Sequence, residues 1–256
     1  PRDPSRAIAA GVERLLREAD VTIGELQSIV HGTTLVANTI IERTGARVGL
    51  ITTRGFRDAL EMGREIRYDL YDLFLERPRP LVPRYLRREV DERIDPEGEV
   101  RLPLDTADLG RVARALVGEG VEAIAVCFMH AYRNPEHERL AKRILAKECP
   151  SLQVTISSDV APEIREFERT STTCANAYVQ PLMQRYLARL ETELQQMGLR
   201  GPLYAMLSGG GITTVRAAGE FPIRLIESGP AAGAMAASYY GLLTRTTSMI
   251  SFDMGG

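Results

Sequence analysis

Hydrophobic residues along this chain follow two periods, one typical of amphipathic helices and one typical of buried strands. The apolar residues of segment 4–19 recur at helical spacing and predict a helix. The segments LQSIVHGTT, LVANTIIER and RVGLITT then indicate a strand, a helix that Gly45 can close, and a buried strand. The first fifty residues therefore predict the order helix, strand, helix, strand.

Residues 55–105 interrupt this rhythm with many charges and with Pro78, Pro80 and Pro83, which exclude a regular helix there. The pattern predicts an excursion made of a helix, an extended proline segment, a strand at REVDERI and a turn at DPEG. We expect ERPRPLVPR to lie on the surface. Such a segment can cover a functional site, but a plain surface insertion also explains it.

The α/β rhythm then resumes. DTADLGRVARALVGEG predicts a helix capped by Asp105, and the continuous apolar run VEAIAVCFMH predicts a central strand. A helix at NPEHERLAKRILAKE, a strand at LQVTISSDV and a helix from Pro181 to Gly198 follow. The remaining pattern predicts strands at PLYAMLS, PIRLIES and SMISFDM, with a helix at GPAAGAMAASYYGLL. We place a domain boundary near residue 175, which gives domains 1–175 and 176–256.

Composition narrows the class of protein. Hydrophobic residues make up 44% of the 256 residues and the formal net charge is -2, so neither nucleic acid nor a membrane is an expected partner. No uncharged stretch approaches the ~18 residues of a membrane helix. The three cysteines form no CxxC pair, which argues against a zinc ribbon or a disulfide framework and fits a reducing cytoplasm.

The chain ends on SFDMGG, where an apolar run delivers an acid into two glycines. A strand fixes such an acid, and glycines let backbone N–H groups approach phosphate oxygens. The carboxylate of Asp253 could orient a hydrated Mg²⁺, with Gly255 and Gly256 beside the phosphates. Many strands also end in Asp-Gly turns that bind nothing.

Two further segments place small or polar residues between a strand and a helix. In IVHGTTLVAN, His31, Thr33, Thr34 and Asn38 fall where open α/β sheets bind ligands, although one threonine could merely cap the helix. In IESGPAAGAM, Gly229 opens a helix with a face of small residues. That face permits close approach of a ligand or, as the favoured alternative, tight helix–sheet packing.

The charged segment PEIREFERTSTTCANAYV, residues 162–179, is interpreted as a solvated helix face. Cys174 is expected to be a small buried residue, because no histidine lies nearby in sequence to activate it. His130 and His137 are interpreted as structural or surface histidines, since too few ligand types cluster for a metal-hydrolase centre.

Over essentially the whole chain, the sequence strongly resembles the hydantoinase A/5-oxoprolinase family. The segments that carry the resemblance are, in order, VHGTT, GARVGLITTRGFRDALEMGR, DLYDLF, PLVPR, EIREFERTSTTCANAYVQPLM, SGPAAGAMAA and SFDMGG. The resemblance implies an α/β fold of the ribonuclease-H-like, actin-like ATPase type. The excursion would be inserted in the first such domain, and a second domain would begin after it. Members of the family use ATP to open cyclic amides or to carboxylate small ketones.

The resemblance also implies the parts of the site. ATP and Mg²⁺ would be the cofactors, with Asp253, Gly255, Gly256 and Gly229 near the nucleotide and Asp253 holding Mg²⁺ through water. Asp253 and His31 would be catalytic. The low-priority substrate or lid residues would be Thr33, Thr34, Arg54, Arg64 and Arg67. A small cyclic amide would be the substrate, a hydantoinase B-type subunit a possible partner, and the enzyme an oligomer.

Some expected parts of the family pattern are missing. A first phosphate loop of Asp-x-Gly-Gly-Thr type does not precede Pro1, and the second loop stops at Gly256 before its threonine. Family members usually carry Gln and Asn where this chain has Leu207 and Gly209, which weakens any transfer of substrate specificity. We therefore expect an internal piece of a longer enzyme that is inactive alone. A non-catalytic assembly subunit is the alternative from another class.

Overall fold

The computed structural model describes residues 4–65, 69, 71–76 and 78–252. Its chain divides into two compact units: unit 1 combines Pro1–Glu42 with Leu182–Gly256, and unit 2 is Arg43–Pro181. These units pair segments that are distant in sequence, and so they differ in kind from the predicted domains 1–175 and 176–256, which stay a prediction. No described helix has both the length and the apolar character needed to cross a membrane.

Unit 1 contains a three-stranded sheet and its helices. Its elements are α1 (Pro4–Ala19), β1 (Ile29–His31), α2 (Leu35–Ile41), β8 (Leu203–Met206), β9 (Ile212–Thr214), α8 (Val215–Glu220) and α9 (Ser228–Thr244). The strand order is β1-β8-β9, with β1 parallel to β8 and β9 antiparallel to β8. The predicted helix–strand–helix start of the chain is therefore confirmed, and its strand pairs with one about 170 residues later.

Unit 2 is built on a four-stranded parallel sheet. Its elements are β2 (Val48–Thr53), α3 (Ala59–Met62), β3 (Arg87–Val90), β4 (Arg93–Ile94), β5 (Val100–Leu102), α4 (Thr106–Gly118), β6 (Ala123–Cys127), α5 (Glu136–Glu148), β7 (Gln153–Ile156), α6 (Ser157–Val160) and the start of α7 (Glu166–Gln196). The sheet order is β3-β2-β6-β7, and β4 and β5 form a separate antiparallel pair.

The core of unit 2 follows from the apolar runs. Every residue of β2 and of β6 is buried, as a strand covered on both faces requires. The helix α4 begins as predicted at Asp105, whose side chain accepts hydrogen bonds from the backbone N–H groups of Ala107 and Asp108. The central position of β6, between β2 and β7, confirms the prediction for VEAIAVCFMH.

The excursion is confirmed in part. Residues 78–83 form no strand, and Arg79 and Arg84 are exposed, as expected for a surface segment. The end of the excursion, however, joins the main sheet. The predicted single strand REVDERI divides into two strands, β3 and β4, and β3 forms the edge of the parallel sheet. The turn at DPEG joins β4 to β5, with Gly98 in the left-handed region at φ +93°.

The long helix corrects two predictions. It runs over 31 residues from Glu166, so Pro181 lies inside it rather than at its start. Residues 174–179 are buried core rather than a solvated face, because their alanines and other small or apolar side chains pack within unit 2. The glycine expected to close α2, Gly45, instead packs under the ring of Tyr178, where an added Cβ would lie 2.3 Å from the ring.

Two predicted strands of the C-terminal region are wrong within the described residues. The segment PIRLIES forms a short 3-10 helix at Pro222–Leu225, and residues 248–252, the described part of SMISFDM, have no regular structure. Ile250 is 92% exposed and Phe252 is 81% exposed. A strand needs a hydrogen-bonded neighbour, and the described part of the chain provides none for these apolar residues.

Candidate functional site

The candidate site lies at one edge of the sheet in unit 1. Parallel pairing of β1 with β8 sets Ile29 opposite Leu203 and His31 opposite Ala205. The carboxyl ends of both strands therefore meet at the same edge, which carries residues 32–34 after β1 and the turn 207–211 after β8. This is the edge where open α/β sheets bind ligands.

A hydrogen-bonded pair, His31 and Tyr186, occupies this edge. The Tyr186 hydroxyl lies 2.8 Å from His31 Nε2. Burial raises the pKa of Tyr186 to about 12, against the opposing effect of a side-chain hydrogen bond from Thr33. Burial lowers the pKa of His31. Both side chains are therefore neutral near pH 7.

The neutral states allow the Tyr186 hydroxyl to be the donor of this bond. Its raised pKa keeps the proton on the Tyr186 oxygen at neutral pH, and that oxygen lies 2.8 Å from Nε2 of His31. A neutral imidazole that accepts at Nε2 carries its hydrogen on Nδ1. With Tyr186 as the donor, His31 offers an N–H donor at the sheet edge.

Ser228, the first residue of α9, ties the loop after β1 to that helix. Its hydroxyl donates to the carbonyl oxygen of Thr33 at 2.8 Å and accepts from the Thr33 backbone N–H at 3.2 Å. Ser228 is fully buried. We call the four residues joined by these bonds the β1–β8 site: His31, Thr33, Tyr186 and Ser228.

The two threonines of this loop have different roles. Thr33 Oγ1 accepts a hydrogen bond from the backbone N–H of Leu35 at 3.2 Å, which is a capping contact. Thr34 makes no capping bond, and its side chain is exposed beside Asn38, whose amide donates to it at 3.4 Å. The capping alternative therefore applies to Thr33, while Thr34 and Asn38 remain open to solvent.

Gly229 is fixed by packing against the same loop. A Cβ added at Gly229 would lie 3.0 Å from the Thr34 methyl group, closer than ordinary van der Waals contact. This close approach is the tight-packing alternative that the sequence favoured. A nucleotide contact of Gly229 stays a prediction.

The turn after β8 is held to the segment that precedes α9. The Ser208 hydroxyl donates to the carbonyl oxygen of Arg224 at 2.8 Å and accepts from the backbone N–H of Glu227 at 3.0 Å. This turn is where the chain departs from the family pattern, at Leu207 and Gly209. Ser208 keeps its backbone in place there.

The remaining predicted residues lie elsewhere. Arg54 and Arg64 belong to unit 2, where each is ion-paired, Arg54 with Asp91 at 2.5 Å and Arg64 with Glu168 at 2.6 Å. Their roles with substrate stay predictions. Arg67, Asp253, Gly255 and Gly256 lie outside the described residues.

Metal ligation by the described part of the chain is limited. Within it, no group of three or more His, Cys, Asp or Glu side chains could hold a metal ion. His137 is a structural histidine, buried and 2.7 Å from Glu92, in agreement with its interpretation from sequence. The predicted Mg²⁺ contact of Asp253 lies outside the described residues and stays a prediction.

Sequence reasoning missed Tyr186 and Ser228. Tyr186 bonds His31 across 155 positions, and Ser228 bonds Thr33 across 195. Neither residue stands in a local pattern that distinguishes it from a core tyrosine or a helix-opening serine. Tyr186 lies on α7 and Ser228 on α9, so these residues meet the β1 segment only in the tertiary fold.

Replacing Tyr186 with phenylalanine is expected to lower the free energy of unfolding by about 1–2 kcal/mol, because its hydrogen bonds with His31 and Thr33 are both lost. Chemical denaturation measures this cost. The ¹⁵N shifts of His31 should change from the Nδ1–H tautomer toward a mixture. Tyr204→Phe, a half-buried tyrosine on β8, is the matched control, and unchanged His31 shifts in Tyr186→Phe would contradict the assigned hydrogen bond.

Comparison with known proteins supports a single family. The hydantoinase/oxoprolinase N-terminal region matches residues 1–149, and the hydantoinase/oxoprolinase domain matches residues 169–256. Caprolactamase subunit alpha of Pseudomonas jessenii is 34% identical over 266 residues, covering 100% of this chain and 38% of that subunit. 5-Oxoprolinase 1 of Arabidopsis thaliana is 31% identical, covering 99% of this chain and 22% of that protein.

The fold agrees with the same group. The nucleotide-free structure of acetone carboxylase superposes with a TM-score of 0.86 at 29% identity, covering 96% of this chain and 36% of that one. Its similarity supports the predicted α/β fold with actin-like ATPase-type domains. The chain spans from 22% to 38% of the length of these relatives. It belongs to the hydantoinase/oxoprolinase family.

Proposed function

We propose that the full-length protein uses ATP to open the ring of a small cyclic amide of the hydantoin or 5-oxoproline class. The observation that supports this most directly is the neutral His31–Tyr186 pair at the shared edge of β1 and β8. Two relatives, caprolactamase and 5-oxoprolinase, carry names of the same substrate class.

The chemistry assigned to the chain is activation of a carbonyl group. ATP would supply a phosphoryl group for the amide oxygen, which makes the carbonyl carbon electrophilic toward water. The Nδ1–H of His31 would donate to negative charge that develops on oxygen, and Tyr186 would hold the ring in that orientation. The exposed Thr34 hydroxyl and Asn38 amide would bind polar groups of the substrate.

The nucleotide-binding residues remain part of the proposal. Asp253 would hold Mg²⁺ through water, and Gly255 and Gly256 would lie beside the phosphates. The loop 32–34, held to α9 by the bonds between Thr33 and Ser228, would give such a site a fixed backbone. Positioning of this kind is the main contribution of protein to phosphoryl transfer.

An ATP-dependent ketone carboxylase is the second candidate. The acetone carboxylase structure covers 96% of this chain, which supports it as well as the caprolactamase match supports ring opening. Both reactions share activation of a carbonyl group. Several relatives are named as subunits, caprolactamase subunit alpha among them, so a hydantoinase B-type subunit is the proposed partner of the full-length protein.

The test uses the full-length protein, alone and with its co-purified partner. Phosphate release and product formation are measured with MgATP and hydantoin, 5-oxoproline or caprolactam, and separately with acetone and bicarbonate. In the productive cyclic amide, an ¹⁸O label on the carbonyl should appear in inorganic phosphate. Unlabelled phosphate would contradict phosphorylation of the amide oxygen, and turnover only with acetone and bicarbonate would favour the carboxylase.

The pH dependence provides a second check on His31. Because burial lowers its folded pKa below the ordinary value of 6.5, His31 is neutral at pH 7 and gains a proton only in more acidic solution. Protonation at Nε2 would break the bond from Tyr186, so kcat should fall as the pH decreases below the ordinary histidine pKa of 6.5. The variant His31→Gln should lose this acidic limb of the profile. An identical limb in both proteins would exclude His31 as its source.

A further inference from the structure

Arg169 is a buried cation with free hydrogen-bond donors. It lies in the first turn of α7 and is only 1% exposed. Its Nε and Nη1 groups are buried and have no hydrogen-bond partner among the described residues. The sequence placed this arginine on a solvated helix face, so its burial is a correction. A buried charge without a partner is costly and is rarely left so.

No carboxylate of the described residues forms an ion pair with Arg169, and the polar groups around it have other partners. Thr170 donates to the sulfur of Cys127 at 3.1 Å, and burial raises the pKa of the Cys127 thiol, which keeps it neutral. The carboxylate of Glu168 is paired with Arg64 at 2.6 Å. Glu138 accepts hydrogen bonds from Ser157 and from two backbone N–H groups.

An aromatic ring completes the surroundings. The guanidinium carbon of Arg169 lies 5.6 Å from the centroid of the Tyr132 ring. Tyr132 is half-buried, and so is His130, whose ring is 6.1 Å from it. Aromatic faces hold a guanidinium in place without using its N–H groups. Tyr132 therefore positions the guanidinium of Arg169 and leaves its N–H groups available to another partner.

The position of Arg169 relative to the sheet of unit 2 gives independent support for a ligand. The strands lie in the order β3-β2-β6-β7. The chain passes from β2 to β3 on one side and later continues through β6 to β7 on the other side, so the direction of the connections reverses between β2 and β6. Open parallel sheets bind ligands beyond the carboxyl ends of the two strands at such a point. Cys127, the neighbour of Arg169, is the last residue of β6.

We propose that Arg169 is the centre of a second binding site, within unit 2, for a small carboxylate anion. One unpaired guanidinium balances one negative charge, which matches a monoanion better than a phosphate. A planar carboxylate also matches the planar guanidinium. The near-complete burial of Arg169 limits the anion to a few atoms. The proposal uses none of the residues of the β1–β8 site and does not rest on the proposed function.

The test measures thermal unfolding of the purified chain in chloride, formate, acetate or phosphate at constant ionic strength. Saturating formate or acetate should raise the unfolding midpoint of the wild type by on the order of 5 °C relative to chloride. Arg169→Met should lose that rise and be at least as stable as the wild type in chloride, because an unpaired buried charge has been removed. Arg185→Met, an exposed arginine on the same helix, should respond as the wild type does.

Three results would overturn the proposal. Equal rises in Arg169→Met and the wild type would show a general anion effect, and a rise with phosphate alone would exclude a carboxylate. An absence of any rise in the wild type would show that Arg169 has a structural role. If Arg169→Met does not fold, ¹³C-formate line broadening is compared in the wild type and Arg169→Lys. The lysine variant keeps the charge without the planar group and should broaden the line less, and equal broadening would contradict the site.

Discussion

Val126→Asp is expected to lower the free energy of unfolding by more than about 4 kcal/mol, enough to unfold unit 2 in most conditions. Val126 is fully buried in β6, where it is paired with Ile51 of β2 and Ile156 of β7. An aspartate there would place a charge between two strands with no polar partner, and β6 is the strand that joins both halves of the sheet.

The measurement is the midpoint of urea denaturation, monitored by far-UV circular dichroism and by fluorescence. Val117→Asp is the matched control, because Val117 is 46% exposed on α4 and its replacement should cost less than about 0.5 kcal/mol. An unchanged midpoint for Val126→Asp would contradict the central position of β6.

Asp253→Ala in the full-length protein is expected to reduce ATP-dependent turnover by about 10²–10³-fold, the usual effect of removing one preorganised electrostatic group. The reason comes from the sequence, where the acid follows an apolar run and precedes two glycines. An acid at such a position serves a ligand more than the core, so the unfolding midpoint should change little.

Steady-state kinetics and thermal unfolding of the same preparation separate these two effects. Glu13→Ala, which removes an exposed acid on α1, is the control for a general loss of charge. Turnover within threefold of the wild type would mean that the nucleotide site lies elsewhere, and a large loss of stability would mean that Asp253 is structural.

Much of unit 2 could be predicted from its sequence because its signals are local. A continuous apolar run predicted β6, and an aspartate before an amphipathic segment predicted the start of α4. The errors arose where tertiary packing overrides local preference. Pro181 can continue a helix when packing on either side supports it, and the apolar residues after α9 have no described strand to pair with.

The residues of the candidate site also include some that local sequence predicts and others that it does not. His31 and Thr33 were found because a strand-to-helix connection is visible in a short stretch of sequence. Tyr186 and Ser228 were not, because partners across more than a hundred residues give them their roles. Arg169 was placed on a solvated helix face, because its burial and its contact with Tyr132 arise only from tertiary packing.

The three cysteines allow the opening of unit 2 to be followed without any mutation. Cys127, Cys149 and Cys174 are all buried and all belong to residues 43–181, whereas unit 1 contains no cysteine. A thiol reagent in native buffer should therefore react only when unit 2 opens, and its rate reports how often that happens. Comparing this rate with hydrogen exchange in α9 would show whether the two units unfold together or one at a time.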